Sequence, residues 1–171
     1  MTQISEEALH KFATEREVNV LIEEGIAIEP AVSWLVRVVE RTLVAENVPP
    51  NSEVSLVISG QERLQELNRD YRGKDRPTDV LAFSMSEQKT EEPPFVTAPD
   101  QVLHIGEVLI SYPQAVIQAE EQRHPVKKEL AILIIHGVLH LLGYDHEKAD
   151  MKRKMQARET EILSQMEKEL A

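Results

Sequence analysis

The chain has 171 residues, 42% of them hydrophobic, a formal net charge of −11 and no cysteine. Its length sets one domain, residues 1–171, as the default, with enough apolar material for a core. The missing cysteines exclude disulfides and thiolate metal ligands, and the acidic balance argues against a general nucleic-acid binder.

Residues 1–17 read as a helical or poorly ordered leader, and MTQISEEALHKF carries no apolar signal segment. The longest apolar run, residues 130–135, is far too short to span a bilayer. A cytoplasmic protein with no membrane partner is therefore expected.

Residues 18–22 read as a strand. Pro30 suits the first position of a helix, and Val32, Leu35, Val36, Val39 and Leu43 mark one helical face. Pro49 and Pro50 end that unit. Val54, Leu56 and Ile58 alternate as a strand. Ser59 and Glu62 form a capping box for a helix that continues through Leu64, Leu67 and Tyr71. A charged loop over 72–77 leads into a strand over 79–83. Residues 86–101 form a long acidic, proline-bearing loop.

Residues 102–111 read as a further strand, and Pro113 opens a helix to about Gln122. Pro125 opens the next, to about Leu142. It is apolar nearly all round from Leu130, so it belongs at the centre of the fold. Residues 147–169 make a charged amphipathic helix. The pattern is mixed α and β, with about four strands and about five helices.

Half of the six histidines fall within residues 136–146, HGVLHLLGYDH. A lone histidine on an apolar helix is usually a hydrogen-bonded core residue. His136 and His140, four apart, lie about 40° apart around a helix axis and one turn up, so both rings can reach one ion. Gly143 offers an exit from the helix, because glycine accepts the left-handed conformation that follows a last turn. His146 can then fold back to join them. Three imidazoles with one open position are the ligand set of a catalytic zinc site, although copper, nickel or iron would also suit them.

The spacing matches the metalloprotease pattern H-E-x-x-H-x-x-G-x-x-H, except that Gly137 stands where the glutamate base belongs. The metal ligands are kept and the protease base is lacking. Asp145 is either a carboxylate serving the site or a turn residue beside Gly143.

Arg69, Arg72, Lys74 and Arg76 cluster against Asp70 and Asp75, and Arg123, His124, Lys127 and Lys128 precede the histidine helix. Each group is either a solvated loop end or part of a positive rim beside a metal site, which would suit a phosphodiester. Arg72 in particular can donate a planar fork to a phosphate.

Together YRGKDRPTDVLAF, HIGEVLIS and HGVLHLLGYDH resemble the YbeY family of bacterial metal-dependent endoribonucleases. The resemblance runs from about residue 53 to 160 and takes in Met155 and Glu159. Ala82 and Ser84 stand where the family usually has serine and proline, and Glu107 where it has aspartate.

The resemblance implies an α+β fold with a mixed sheet and the metal helix packed on it. It implies a single-strand RNA endonuclease with one zinc per chain, held by His136, His140 and His146. Arg72 matches the family's catalytic-cleft arginine. The charge clustering itself, not the resemblance, makes Lys74, Arg76 and Asp145 candidates to bind substrate. The expected role is ribosomal RNA maturation and ribosome quality control, with ribosomal RNA and ribosomal proteins as partners and no DNA. Two rivals stand beside it: a metal-dependent amidase or protease, and a non-catalytic ribosome-associated metal-binding module. The second needs a fourth protein ligand.

Overall fold

The computed structural model describes residues 9–12, 16–85, 102–145 and 147–170. His146 and the acidic loop over 86–101 lie outside the described residues.

Five strands form one sheet in the order β1-β2-β3-β5-β4. They are β1 Leu9–Phe12, β2 Arg16–Ile22, β3 Ser52–Ser59, β4 Val80–Ser84 and β5 Leu103–Ser111. β2, β3 and β5 run parallel, while β1 pairs antiparallel with β2 and β4 antiparallel with β5. The sheet is thus mixed and the fold α+β. Four of its strands are those expected from the sequence.

β1 is the exception to the expectation for residues 1–17. Leu9–Phe12 lies antiparallel on residues 18–21, and Arg16 and Glu17 already belong to β2. Four residues are too few to display a period of two, so nothing local announces this edge strand. Arg16 is fixed from a distance, donating through Nε and an Nη to the Val48 carbonyl at 3.0 and 2.7 Å.

The helices are α1 Val32–Ala45, α2 Gln61–Arg72, α3 Tyr112–Gln122, α4 Val126–Leu141 and α5 Ala149–Ser164. Successive residues of a strand point to opposite faces, and here the two faces are covered unequally. On one, Val18, Val20, Val54, Leu56, Val108 and Ile110 pack with α1, α4 and α5 into the main core. α4 is buried nearly all round, through Leu130, Ala131, Leu133, Ile134, Ile135, Val138, Leu139 and Leu141. Full burial of each large aliphatic contributes about 1.5–3 kcal/mol, so this helix is held firmly against the sheet. The other face carries a small cluster, in which Leu64 of α2 meets Leu81 and Leu109.

Two helix starts differ from the sequence reading. α1 begins at Val32 behind Ala31, so Pro30 precedes the helix. The N-cap of α2 is Gly60, without a side-chain cap. The Ser59 hydroxyl donates instead to Glu23 Oε1 at 2.7 Å, a partner at the end of β2 that replaces the capping box. At the chain's end α5 stops at Ser164, where a 3₁₀ turn, Glu167–Glu169, allows Met166 and Leu170 to be buried. Among the described residues no helix is long and apolar enough to cross a membrane.

Candidate metal centre and the arginine loop

α4 carries both of its histidines in its second half, His136 and His140. Their rings stand edge to face with centroids 4.7 Å apart, so the i, i+4 spacing places the two imidazoles side by side. His136 Nδ1 lies 2.5 Å from Glu159 Oε2 of α5. A carboxylate that accepts there holds the hydrogen of the neutral ring on Nδ1 and the lone pair on Nε2. Metal-ligating histidines are commonly oriented in this way. His136 and Glu159 are both half-buried, which strengthens the bond relative to one in open water.

The helix ends as the glycine suggests. Gly143 has φ of +106°, its N–H bonds the His140 carbonyl at 3.0 Å, and the Tyr144 N–H reaches the Leu139 carbonyl at 3.1 Å. This paired closure needs a left-handed residue at position 143. The chain then turns away from the axis immediately after the His140 turn. Among the described residues no group of three or more metal-capable side chains is present, and the third expected ligand, His146, is outside them. The donor chemistry on view fits a borderline cation such as zinc: two adjacent imidazoles, one backed by a carboxylate.

Gly137 has a packing role. A Cβ there would lie 2.6 Å from Val108 Cγ1 and 3.4 Å from Val80 Cγ2. Position 137 therefore faces the sheet, and the missing side chain is what lets α4 lie directly on β4 and β5. A glutamate could not be housed there without displacing Val108.

The segment after the helix is tied down by residues far away in sequence. The Tyr144 hydroxyl donates to Glu46 Oε1 at 2.9 Å, and Arg158 Nε donates to Glu46 Oε2 at 2.6 Å. Burial, and then the Glu46 hydrogen bond, raise the pKa of Tyr144 above its ordinary value. Asp145 Oδ1 accepts the Glu147 N–H at 2.9 Å, the local bond of a turn aspartate.

Arg72, Lys74 and Arg76 stand on a separate loop. Arg72 is the last residue of α2, and Gly73, with φ of +70°, stops the helix: its N–H bonds the Arg69 carbonyl at 3.1 Å and the Lys74 N–H bonds the Asn68 carbonyl at 3.2 Å. The buried Asn68 donates from Nδ2 to the Arg76 carbonyl at 3.1 Å, and Gln65 Nε2 donates to Asp75 Oδ1 at 3.0 Å. These bonds shape the loop and leave the three cations exposed. None of them has a side-chain ion pair among the described residues. No hydrogen bond among those residues joins Arg72 to either imidazole.

β4 connects the two stretches. Val80, at its start, packs toward Gly137, and Ser84 Oγ, at its end, donates to the Leu141 carbonyl at 3.3 Å. Sequence reasoning missed Glu159, Asn68, Glu46 and Arg158 as supports. Glu159 alone left a trace, within the family resemblance.

The second basic group is not a rim beside the histidines. Lys127 lies at the opposite end of α4 from His140, about 20 Å along the axis at 1.5 Å per residue. Its Nζ sits 5.1 Å from the Trp34 ring centroid, and His124 Nε2 lies 2.7 Å from Glu129 Oε1.

A mixed sheet crossed by a helix that presents two histidines, with an arginine loop feeding the edge strand, defines an α+β protein with a histidine-centred site. Comparison with known proteins narrows this. The family model of endoribonuclease YbeY matches residues 4–167. An endoribonuclease YbeY of Dehalococcoides mccartyi is 47% identical over 136 residues, covering 77% of this chain and 79% of the relative. One from Chloroflexus aurantiacus is 43% identical over 149 residues, covering 86% and 93%. The solution structure of TM1509 from Thermotoga maritima superposes with a TM-score of 0.52 at 25% identity, covering 90% of this chain and 93% of that one. The chain belongs to the YbeY family of endoribonucleases.

Proposed function

We propose that the chain is a zinc-dependent endoribonuclease that cuts unpaired RNA, with ribosomal RNA as its substrate, and that it acts in the cytoplasm in ribosomal RNA maturation and ribosome quality control. The observation that carries the metal reading is the His136–His140 pair with Glu159 behind Nδ1, in a chain of this family. His136, His140 and His146 would hold one zinc per chain. Bound there, the ion would supply Lewis-acid chemistry to a phosphodiester.

The chain's own residues have separable parts in this reading. Glu159 keeps the His136 ring in one tautomer and one orientation. Tyr144, Glu46 and Arg158 steady the segment that leads to His146. Arg72 donates its planar fork to the phosphate and stabilises the charge that builds there in the transition state. Lys74 and Arg76 draw in the flanking phosphates. With a net charge of −11, only a few cations can face the RNA backbone, so binding weakens with salt along a shallow slope.

The amidase or protease reading loses ground on Gly137. The pattern's glutamate is absent, and Val108 occupies the space it would need. The test is turnover of a single-stranded RNA against denatured casein by one zinc-loaded preparation. RNA cleavage without proteolysis supports the reading. Proteolysis that His136→Ala abolishes, with no RNA cleavage under any divalent metal, overturns it.

A further inference from the structure

On the sheet face opposite α4 lies an open groove of about 670 Å³ that the metal site does not use. Leu67 and Tyr71 of α2, Phe83 of β4 and Leu109 of β5 line it, with Arg63 at its rim and Glu107 beside Phe83. The floor is mainly apolar, with Glu107 and Glu23 at its polar parts, and among the described residues α2 covers this face only in part. Tyr71 stands out from it. Its residue surface is 70% exposed, yet its ring is held edge to face on Phe83, with centroids 5.7 Å apart. An aromatic side chain both exposed and braced in this way offers a fixed flat surface.

The charges around the ring sort what can lie on it. Arg69 is paired with Asp70 at 3.1 Å, and Asp75 is engaged by Gln65. Arg63 and Arg72 are exposed and have no side-chain ion pair among the described residues. Glu107 lies directly across the β4–β5 ladder from Phe83. Its carboxylate repels a phosphate from the floor, while Arg63 and Arg72 attract one to the rim. An apolar, planar group with an anion at its side satisfies both demands, and an unpaired nucleotide is such a group.

We propose that Tyr71 is a base-stacking residue for single-stranded RNA, resting on the endoribonuclease reading above. The strand passes over the edge strand β4, from the histidines on one face of the sheet to Tyr71 on the other. Phe83 and Ser84 are adjacent on β4 and serve opposite faces. Phe83 braces Tyr71, and Ser84 bonds the last turn of the histidine helix. A strand stretched over this edge has its bases unpaired, so the arrangement selects against duplex RNA.

The test is steady-state cleavage of a short single-stranded RNA by the zinc-loaded full chain, with each nucleotide replaced in turn by an abasic one. Base stacking on an aromatic side chain is worth about 5- to 150-fold in binding. Tyr71→Ala should lower kcat/KM by a factor in that range, with the loss in KM, and Tyr71→Phe and Tyr71→Trp should recover most of it. One abasic position should cost the wild type a similar factor and cost Tyr71→Ala nothing further. Equal abasic penalties in both proteins, with wild-type cleavage intact, would overturn the stacking role and leave the endoribonuclease reading standing. No RNA cleavage by the wild type under any divalent metal would overturn both.

Discussion

His136 Nδ1 and Glu159 Oε2, 23 residues apart in sequence, meet at 2.5 Å between α4 and α5. The contact converts a loose pair of helix histidines into one with a defined tautomer at its first member. Carboxylates in this position hold the plane of the ring, and their loss typically costs about 10- to 100-fold in metal affinity. Glu159→Ala should weaken zinc binding by a factor in that range, and Glu159→Gln, which keeps an acceptor, by less. Competition against a chelator of known affinity measures it. Affinity within twofold of wild type in Glu159→Ala would show that Glu159 serves only α4–α5 packing.

Arg72 leaves the end of α2 exposed, on a loop that Gly73 and Asn68 shape. Removing one preorganised donor to a developing charge costs on the order of 10²–10³ in rate. Arg72→Ala should lose that much RNA cleavage while keeping zinc content and thermal stability. Arg72→Lys should also be poor, since an ammonium cannot donate the planar fork. Activity within a few-fold of wild type at equal zinc content would remove Arg72 from the chemistry.

Gly137 sets how closely α4 approaches the sheet. Alanine is favoured over glycine in a helix interior by about 1 kcal/mol, but forcing a methyl into a packed core costs about 1–3 kcal/mol. The added Cβ would sit 2.6 Å from Val108, a buried β-branched side chain with little freedom to move. Overpacking should win, and Gly137→Ala should be less stable than wild type in denaturant. Val108→Ala in the same chain should recover part of the loss as a favourable coupling of about 1 kcal/mol. A Gly137→Ala protein more stable than wild type would contradict the packing.

The Tyr144 hydroxyl donates to Glu46, and burial, then that bond, raise its pKa above the ordinary value of about 10. A raised folded-state pKa means the stabilising effect is full below the unfolded value and is lost as pH climbs through the folded one. Tyr144→Phe should therefore cost about 1–2 kcal/mol, a gap constant from about pH 6 to 9 that narrows in the alkaline range. Denaturant midpoints of the two proteins against pH read it directly. A gap that widens above pH 10 would contradict the assignment.

Much of this architecture was legible because its signals are local. Val54, Leu56 and Ile58 alternate as a strand, three further short apolar runs read as strands, α4 is apolar nearly all round, and His136, His140 and Gly143 declare a helix pair and its exit within eight residues. The supports were not legible, because they are long-range. Arg158 reaches Glu46 across 112 residues and Glu159 reaches His136 across 23. Gly137 read as a missing base, and its steric reason depends on Val108 and Val80 of other strands. Ser59 read as a cap because Glu62 is near in sequence, yet Glu23 took its hydroxyl from the end of β2. β1 offered only four residues.

The proposed chemistry rests on one zinc held by the histidines of HGVLHLLGYDH, which elemental analysis of the purified chain measures. About one zinc per chain is expected in the wild type, with most of it lost in each of His136→Ala, His140→Ala and His146→Ala. Full zinc occupancy in folded His140→Ala protein would contradict it.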